Sequence, residues 1–292
     1  MRERKKQTRY FYMFISPWLA GFFLLTLVPL AYSIYLSLTQ YNGLSAPEFI
    51  GLQNYMDILF HDDLFRKSLV NSFVYAILAV PSSLILALII AFLLSKDSKS
   101  SNFFQIVFFF PSIAAGAAVY TVVKFLLRGE GGLINYMLSL LGIQGPYWLT
   151  DAKWAMIALA IANLIFCGQQ MLIFLAGIKQ IPGSYYEAAK IDGAGNIKCF
   201  FKITLPLISN VFVFNLVMGI ISAFQVFVQP LIMTGGGPFK KTYMYGMYIY
   251  DSGFSFGRFG YAASLAWIMY LIILFISMVV LKSLQKLMNY ED

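Results

Sequence analysis

Histidine, cysteine and charge are all scarce in this chain. His61 is the only histidine, which excludes a multi-histidine metal site. Cys167 and Cys199 are the only cysteines, so there is neither a disulfide framework nor a CxxC pair. Charged residues make up 12% of the 292, about half the ~25% of a soluble domain. No GxxxxGK[ST] phosphate-binding loop occurs, so the chain does not bind ATP by that route. Gly193-Ala194-Gly195 comes nearest, with the wrong spacing and the wrong following residues. No catalytic constellation is found, and the expectation is a protein that is not an enzyme and holds no metal or cofactor.

What the chain has in abundance is apolar surface. Hydrophobic residues are 60% of the whole and cluster in runs close to the ~20 residues that cross a hydrocarbon core. Six runs are read: Phe11–Tyr35, Leu69–Leu94, Phe103–Phe125, Trp154–Ile178, Leu207–Met233 and Phe259–Leu281. Backbone groups in lipid must be satisfied internally, so each run is expected to be a helix and the fold all-α. The first run is longer than a signal-peptide core and no small-residue cleavage site follows it, so it is read as retained.

Basic residues flanking spans mark the cytoplasmic side. Arg2, Arg4, Lys5, Lys6 and Arg9 place the N-terminus inside. Alternating from there, thirteen basic residues fall inside and eight outside, so the net charge of +8 is mostly a topology signal. A nucleic-acid partner is not indicated, because no basic stripe lies on a soluble domain. Lys96 and Lys99 mark the inner end of a hairpin, and Lys124 lies near an outer span end, where it can snorkel.

The inner loop after the fourth run carries the most distinctive sequence. Pro182-Gly183 ends the fourth helix, Ser184 is placed to cap a new one, and Gly193 offers a left-handed stop. Phe200, Ile203 and Leu207 then recur at helical spacing, and Pro206 is expected to open the fifth span. The result is a short helix, a glycine turn and a second short helix. Ala188 and Ala189 leave room for a close partner, and Glu187 can reach a cationic group on it.

Glu187-Ala188-Ala189-x-x-Asp192-Gly193-Ala194, followed by Phe200, Ile203, Leu205 and Pro206, resembles the EAA loop of ABC importer permeases. That family is the binding-protein-dependent transport system inner-membrane component. Asn210 is a departure, standing where many relatives have proline. Further stretches are similar to its carbohydrate-uptake branch: Pro17–Phe22, Ser37–Asn42, Gly51–Tyr55, Asn71-Ser72, Thr234–Pro238 with Thr242, and Phe259–Ala263. Their order supports that branch, and the N-terminal pattern favours the maltose- or glycerol-phosphate-type first permease over its usual partner.

The resemblance implies the type I ABC importer permease fold, with six transmembrane helices and a cytoplasmic coupling-helix loop. It implies a cytoplasmic segment 1–10, a permease domain 11–283 with its loop at 179–206, and a cytoplasmic tail 284–292. By the same resemblance Glu187, Ala188, Ala189, Asp192, Gly193, Ala194, Ile203, Leu205 and Pro206 dock an ATPase. Implied partners are a second permease, two cytoplasmic ATPase domains carrying ATP and Mg, and an extracytoplasmic solute-binding protein. The protein is expected in the cell membrane, serving a sugar or oligosaccharide.

Polar side chains within spans are costly toward lipid and turn to the bundle interior. Ser112, Gly116 and Tyr120 are spaced by four on the third run. Asn163, Cys167 and Gln170 share a face of the fourth, and Ser222, Gln225 and Gln229 a face of the fifth. Tyr120, Asn163, Cys167, Ser222, Gln225 and Gln229 are therefore read as substrate-binding residues. Uncharged amides, hydroxyls and rings suit a neutral polyhydroxylated ligand, although such residues also bind helices to one another. Trp267 and Tyr270 are read as packing, and Gly235-Gly236-Gly237-Pro238 as a mobile outer turn. The competing function, an ATP-independent secondary carrier of a small polar solute, calls for intramembrane ionisable or broken-helix coupling sites. Reporter fusions at the two termini should place both on the cytoplasmic face; opposite faces would refute the even span count.

Overall fold

The computed structural model describes residues 2–96 and 98–288, with side chains from 10 to 96 and from 98 to 284. The basic side chains before Tyr10 and the end of the expected tail lie outside this description. Three helices are each long and apolar enough to cross a membrane: Tyr10–Ser37, Asp63–Leu93 and Phe259–Leu284. Three bent pairs pass the same test together: Lys99–Ile113 with Gly116–Leu126, Ala155–Phe166 with Gly168–Lys179, and Asn196–Leu207 with Ser209–Phe224. Counting each bent pair as one crossing gives up to six.

The bends correct several expectations. The third run turns by 102°, because Ala114 and Ala115 adopt extended backbone with ψ of 153° and 116°. Ser112 and Tyr120 thus lie on separate helices, and spacing by four no longer gives them a common face. The fourth run turns by 50° through a 3-10 turn at Leu164–Phe166. Gly168 sits there because a Cβ would lie 2.1 Å from the carbonyl oxygen of Phe108. The third span presses its backbone into that break.

The fifth run is not continuous either. Pro206 belongs to the last turn of Asn196–Leu207, and the spanning helix opens at Ser209 after a 71° bend. Within Asn196–Leu207 the chain widens into a π-turn at Phe200–Thr204, next to a proline that lacks a backbone donor. The spanning helix ends at Phe224, and Val228–Met233 forms a separate short helix.

Contacts divide the chain into two compact units. The first comprises residues up to Asp62 together with Ile249–Tyr270. Its first span is continuous with a helix from Arg2, earlier than the expected boundary, and a π-turn at Phe23–Leu27 precedes Pro29. Where this span ends, Thr39–Gln40 pairs antiparallel with Glu48–Phe49. Asn54 Nδ2 donates to the carbonyls of Ser37 and Thr39 at 3.1 and 3.0 Å. Tyr55 Oη donates to Ser37 Oγ at 2.8 Å, and Ser264 Oγ to the Ser37 carbonyl at 2.7 Å. A Cβ at Gly260 would lie 2.0 Å from the Thr39 carbonyl oxygen, so only glycine permits this approach. Tyr261 also hydrogen-bonds Asp62.

The second unit comprises Asp63–Tyr248 and Leu271 onward. Its pillar is Asp63–Leu93, whose buried face of Tyr75, Ala79, Ser83, Ala87 and Ala91 packs against the fourth and fifth spans. Small residues there let helices close up, as membrane packing requires. Asn71 Nδ2 donates to the carbonyls of Lys240 and Tyr243, and Ser72 Oγ accepts from the Tyr245 amide. Thr242 Oγ1 donates to the Gly237 carbonyl at 2.6 Å, and Lys67 Nζ donates to Phe239. The glycine turn at 235–238 is thereby pinned, where a slack turn was expected. Lys124 Nζ likewise bonds the Ile232 carbonyl at 2.7 Å.

Between the third and fourth spans, Asn135 bridges the carbonyls of Gly129 and Pro146 and accepts from Trp148 Nε1 at 2.7 Å. Nearby, Tyr147 Oη donates to Glu130 Oε1. That hydrogen bond, with the adjacent negative charge, raises the phenol above its ordinary pKa.

The Asn54 bonds give a direct test. Asn54→Ala takes the side-chain donor from the buried Thr39 carbonyl and leaves the Ser37 carbonyl with Ser264 alone; it should cost about 1–2 kcal/mol, read as a lowered unfolding temperature of the purified protein.

Candidate functional site

Two features in the second unit carry chemistry. The first is the loop after Lys179. Pro182, with φ −58° and ψ 134°, occupies the N-cap, so the helix Gly183–Ile191 begins one residue before the expected cap Ser184. No side chain caps it. Its end is closed by backbone alone: the Ala194 amide donates to the Ala189 carbonyl at 2.8 Å, and the Gly193 amide to Lys190 at 3.0 Å. This pair of bonds, with Gly193 at φ +73°, is a Schellman motif. It explains why Asp192-Gly193-Ala194 reads as it does: the glycine takes the left-handed position, and Ala194 sits opposite Ala189.

The helix has no buried residue. Glu187, Ala188, Asp192 and Gly193 are exposed, while Ala189, Ala194, Ile203, Leu205 and Pro206 are half-buried. Large apolar side chains stand out as well: Tyr185 is 53% exposed, Ile191 87% and Ile197 75%. The loop is nonetheless fastened to its neighbour, since Tyr186 Oη and Thr204 Oγ1 lie 2.9 Å apart and Thr204 is fully buried. The helix is thus fastened to its neighbour while it presents apolar side chains outward.

The second feature is a cavity of about 250 Å³ between the second, fourth and fifth spans. Asn163, Gln169, Gln170, Asn215, Ser222 and Ser83 supply its polar wall. None of its lining residues is ionisable. Asn215 is 1% exposed, and neither its Oδ1 nor its Nδ2 has a partner; the same holds for Gln170 Oε1. Buried polar atoms left unpaired cost roughly 1–3 kcal/mol each, and here they face a cavity with room for water or another hydrogen-bonding guest. Gly219 lets Val80 approach, since a Cβ there would lie 3.0 Å from its Cγ1.

Of the residues expected to meet substrate, Asn163 and Ser222 line this cavity. Tyr120 stacks at a tilt on Phe166, 5.1 Å between centroids. Cys167 is 3% exposed and packed at the break. Gln225 caps the end of the fifth helix and is exposed. Gln229 is enclosed elsewhere: it accepts from Tyr75 Oη at 2.6 Å and donates to the Leu159 carbonyl at 2.7 Å. That pairing ties helices together. Asn215, Gln169 and Ser83 were not anticipated, although Asn215 precedes Ser222 by seven and so shares its face.

Comparison with known proteins decides the family. Residues 60–290 match the family described as binding-protein-dependent transport system inner membrane component. The chain belongs to this family. Over its full length this transport-system component is 37% identical to the "Probable ABC transporter permease protein YesP" of Bacillus subtilis, covering 95% of that protein. It is 34% identical to the sulfoquinovosyl glycerol transport system permease protein SmoG of Agrobacterium fabrum, over 87% of this chain and 82% of that one. The fold is also that of a chain in the crystal structure of a bacterial alginate ABC transporter bound to an alginate pentasaccharide-bound periplasmic protein. There the TM-score is 0.85 at 20% identity, covering 99% of this chain and 98% of the other. The protein is thus a membrane-embedded permease subunit of an ABC transporter, and ATP hydrolysis belongs to a separate chain.

The two glutamine and asparagine environments should separate on substitution. Asn215→Leu removes an amide with no partner, so stability should hold or rise by about 1 kcal/mol. Gln229→Leu severs two buried bonds and should lose about 2–4 kcal/mol. Thermal unfolding of the two variants beside the parent checks both.

Proposed function

We infer that this permease pairs with a second permease to form the translocation path for a neutral sugar or oligosaccharide, and that the loop 179–206 transmits the motion of a cytoplasmic ATPase. The observation that carries the coupling role is the rigid, fully surface-lying helix Gly183–Ile191, closed at Gly193 and flanked by exposed Tyr185, Ile191 and Ile197. Glu187, Ala188, Ala189, Asp192, Gly193, Ala194, Ile203, Leu205 and Pro206 are assigned to that contact. ATP and Mg are assigned to the partner ATPase, delivery of solute to an extracytoplasmic binding protein, and both termini to the cytoplasm.

The sugar reading draws on the uncharged amide and hydroxyl wall of the cavity, suited to hydroxyl ligands that both donate and accept. The sugar class, apart from its neutrality, also draws on SmoG, whose name assigns it to the transport of sulfoquinovosyl glycerol, a sugar derivative that carries a sulfonate. Asn163, Ser222, Asn215 and Gln170 are the proposed solute contacts; Tyr120, Cys167, Gln225 and Gln229 do not line the cavity. An ATP-independent carrier finds no support in the relatives.

Alternating access needs a rigid connector between ATPase and spans. A Cβ at Gly193 meets nothing within 4 Å of this chain, and Asp and Asn tolerate the left-handed region better than other residues. Gly193→Asn should therefore keep the turn, and Gly193→Asp should insert normally yet lose ATPase co-purification and uptake. Glu187→Ala should weaken ATPase binding by about ten-fold or more, the loss of one charge-assisted bond. If Gly193→Asp retains the ATPase and transports like the parent, the coupling role is wrong.

A further inference from the structure

Behind the exposed loop helix lies a second, unrelated surface. A cavity of about 490 Å³ opens between the inner end of the second span and the loop, lined by Lys96, Lys179, Lys190, Asn196, Phe92 and Leu93 among others. Among the described residues, no carboxylate lines it. Three ammonium groups around one cavity favour an anion with several oxygens, and Asn196 adds a neutral polar group.

The cavity does not stop at polar groups. Phe92 and Leu93 are also walls of a small apolar cavity with Ile89, Ile197, Phe200 and Phe201. Phe200 and Phe201 in turn wall a groove of about 610 Å³ with Leu88, Leu205, Phe212 and Val213, apolar apart from Ser209. The rings of Phe92 and Phe200 meet edge-on at 4.7 Å and stand in the walls that neighbouring compartments share. Along the second span, Ile85, Ile89 and Leu93 recur every four residues and are 58%, 49% and 69% exposed. They form a bare apolar stripe leading up to Lys96.

A cationic cavity and an apolar groove that adjoin through a small apolar cavity, beside a bare apolar stripe, match one molecule with a charged head and a hydrocarbon tail. We propose that this surface binds an anionic phospholipid, its phosphate held by Lys96, Lys179 and Lys190 and an acyl chain lying along Phe200, Phe201 and Phe212. The positive-inside reading puts this end of the spans in the leaflet where anionic lipids attract basic groups. Lys190 belongs to the loop helix and Lys96 to the hairpin after the second span, so the headgroup bridges the two. Lys96 then has a ligand, which its position in the sequence did not suggest.

The test needs neither solute nor nucleotide, so its failure leaves the transport reading untouched. The full-length protein is placed in nanodiscs of phosphatidylcholine with a minor fraction of phosphatidylglycerol, and co-retained lipid is identified by native mass spectrometry. The parent should enrich phosphatidylglycerol, K96Q/K179Q/K190Q should lower that enrichment roughly a hundred-fold, and K96R/K179R/K190R should keep it. Inorganic phosphate and glycerol 3-phosphate should fail to displace the lipid. Displacement by either at matched concentration would mean a soluble phosphate ligand and overturn the lipid assignment. Equal retention of the two lipids by the parent, or enrichment that survives the glutamine variant, would also overturn it. Should the glutamine variant not insert, lipid selectivity and phosphate competition on the parent decide the question.

Discussion

Hydrocarbon offers no hydrogen bonds, so a chain that leaves helical geometry inside a membrane must supply partners for every freed backbone group. This chain leaves it repeatedly, at Ala114–Ala115, around Cys167, at Ile208 and after Phe224. At several other points of the chain a side-chain nitrogen donates to main-chain carbonyls. Asn54 covers Ser37 and Thr39, Asn71 covers Lys240 and Tyr243, Gln229 covers Leu159, and Lys124 covers Ile232. Motif residues that resemble a family signature thus have a mechanical role. Asn54-Tyr55 and Gly260 clasp the end of the first span, and Asn71-Ser72 pins the turn before Tyr245.

Against that background the unpaired amides stand apart. Asn215 and Gln170 are enclosed with open hydrogen-bonding positions while comparable residues nearby are fully used. Among the amides of the spans, some are braces and others are cavity walls. The distinction depends on what each atom touches. Gln229 and Asn215 are both 1% exposed, yet one is spent on two partners and the other on none.

The loop between the fourth and fifth spans shows how one short helix serves two faces. Its outward side carries Glu187, Tyr185 and Ile191, and its other side contributes Tyr186 and Lys190 to the basic cavity. The backbone closure at Gly193 makes the helix a rigid unit, and the Tyr186 to Thr204 contact attaches it to the following helix.

Long apolar runs, the family signature and the glycine stop were legible in the sequence because each is a local property: composition sets membrane residence, and a left-handed turn demands glycine. The placement of runs at Phe11–Tyr35 and Phe259–Leu281 needed nothing else, since both fall within single continuous helices. The faces of the third, fourth and fifth spans were not legible. Periodicity assumes a straight helix, and the bends of 102°, 50° and 71° arise where another span's backbone or an adjoining turn intrudes. Only tertiary structure decided that Gln229 is a brace, that Asn215 faces a cavity and that Lys96, Lys179 and Lys190 converge, because partners remote in sequence determine whether a polar atom is already satisfied.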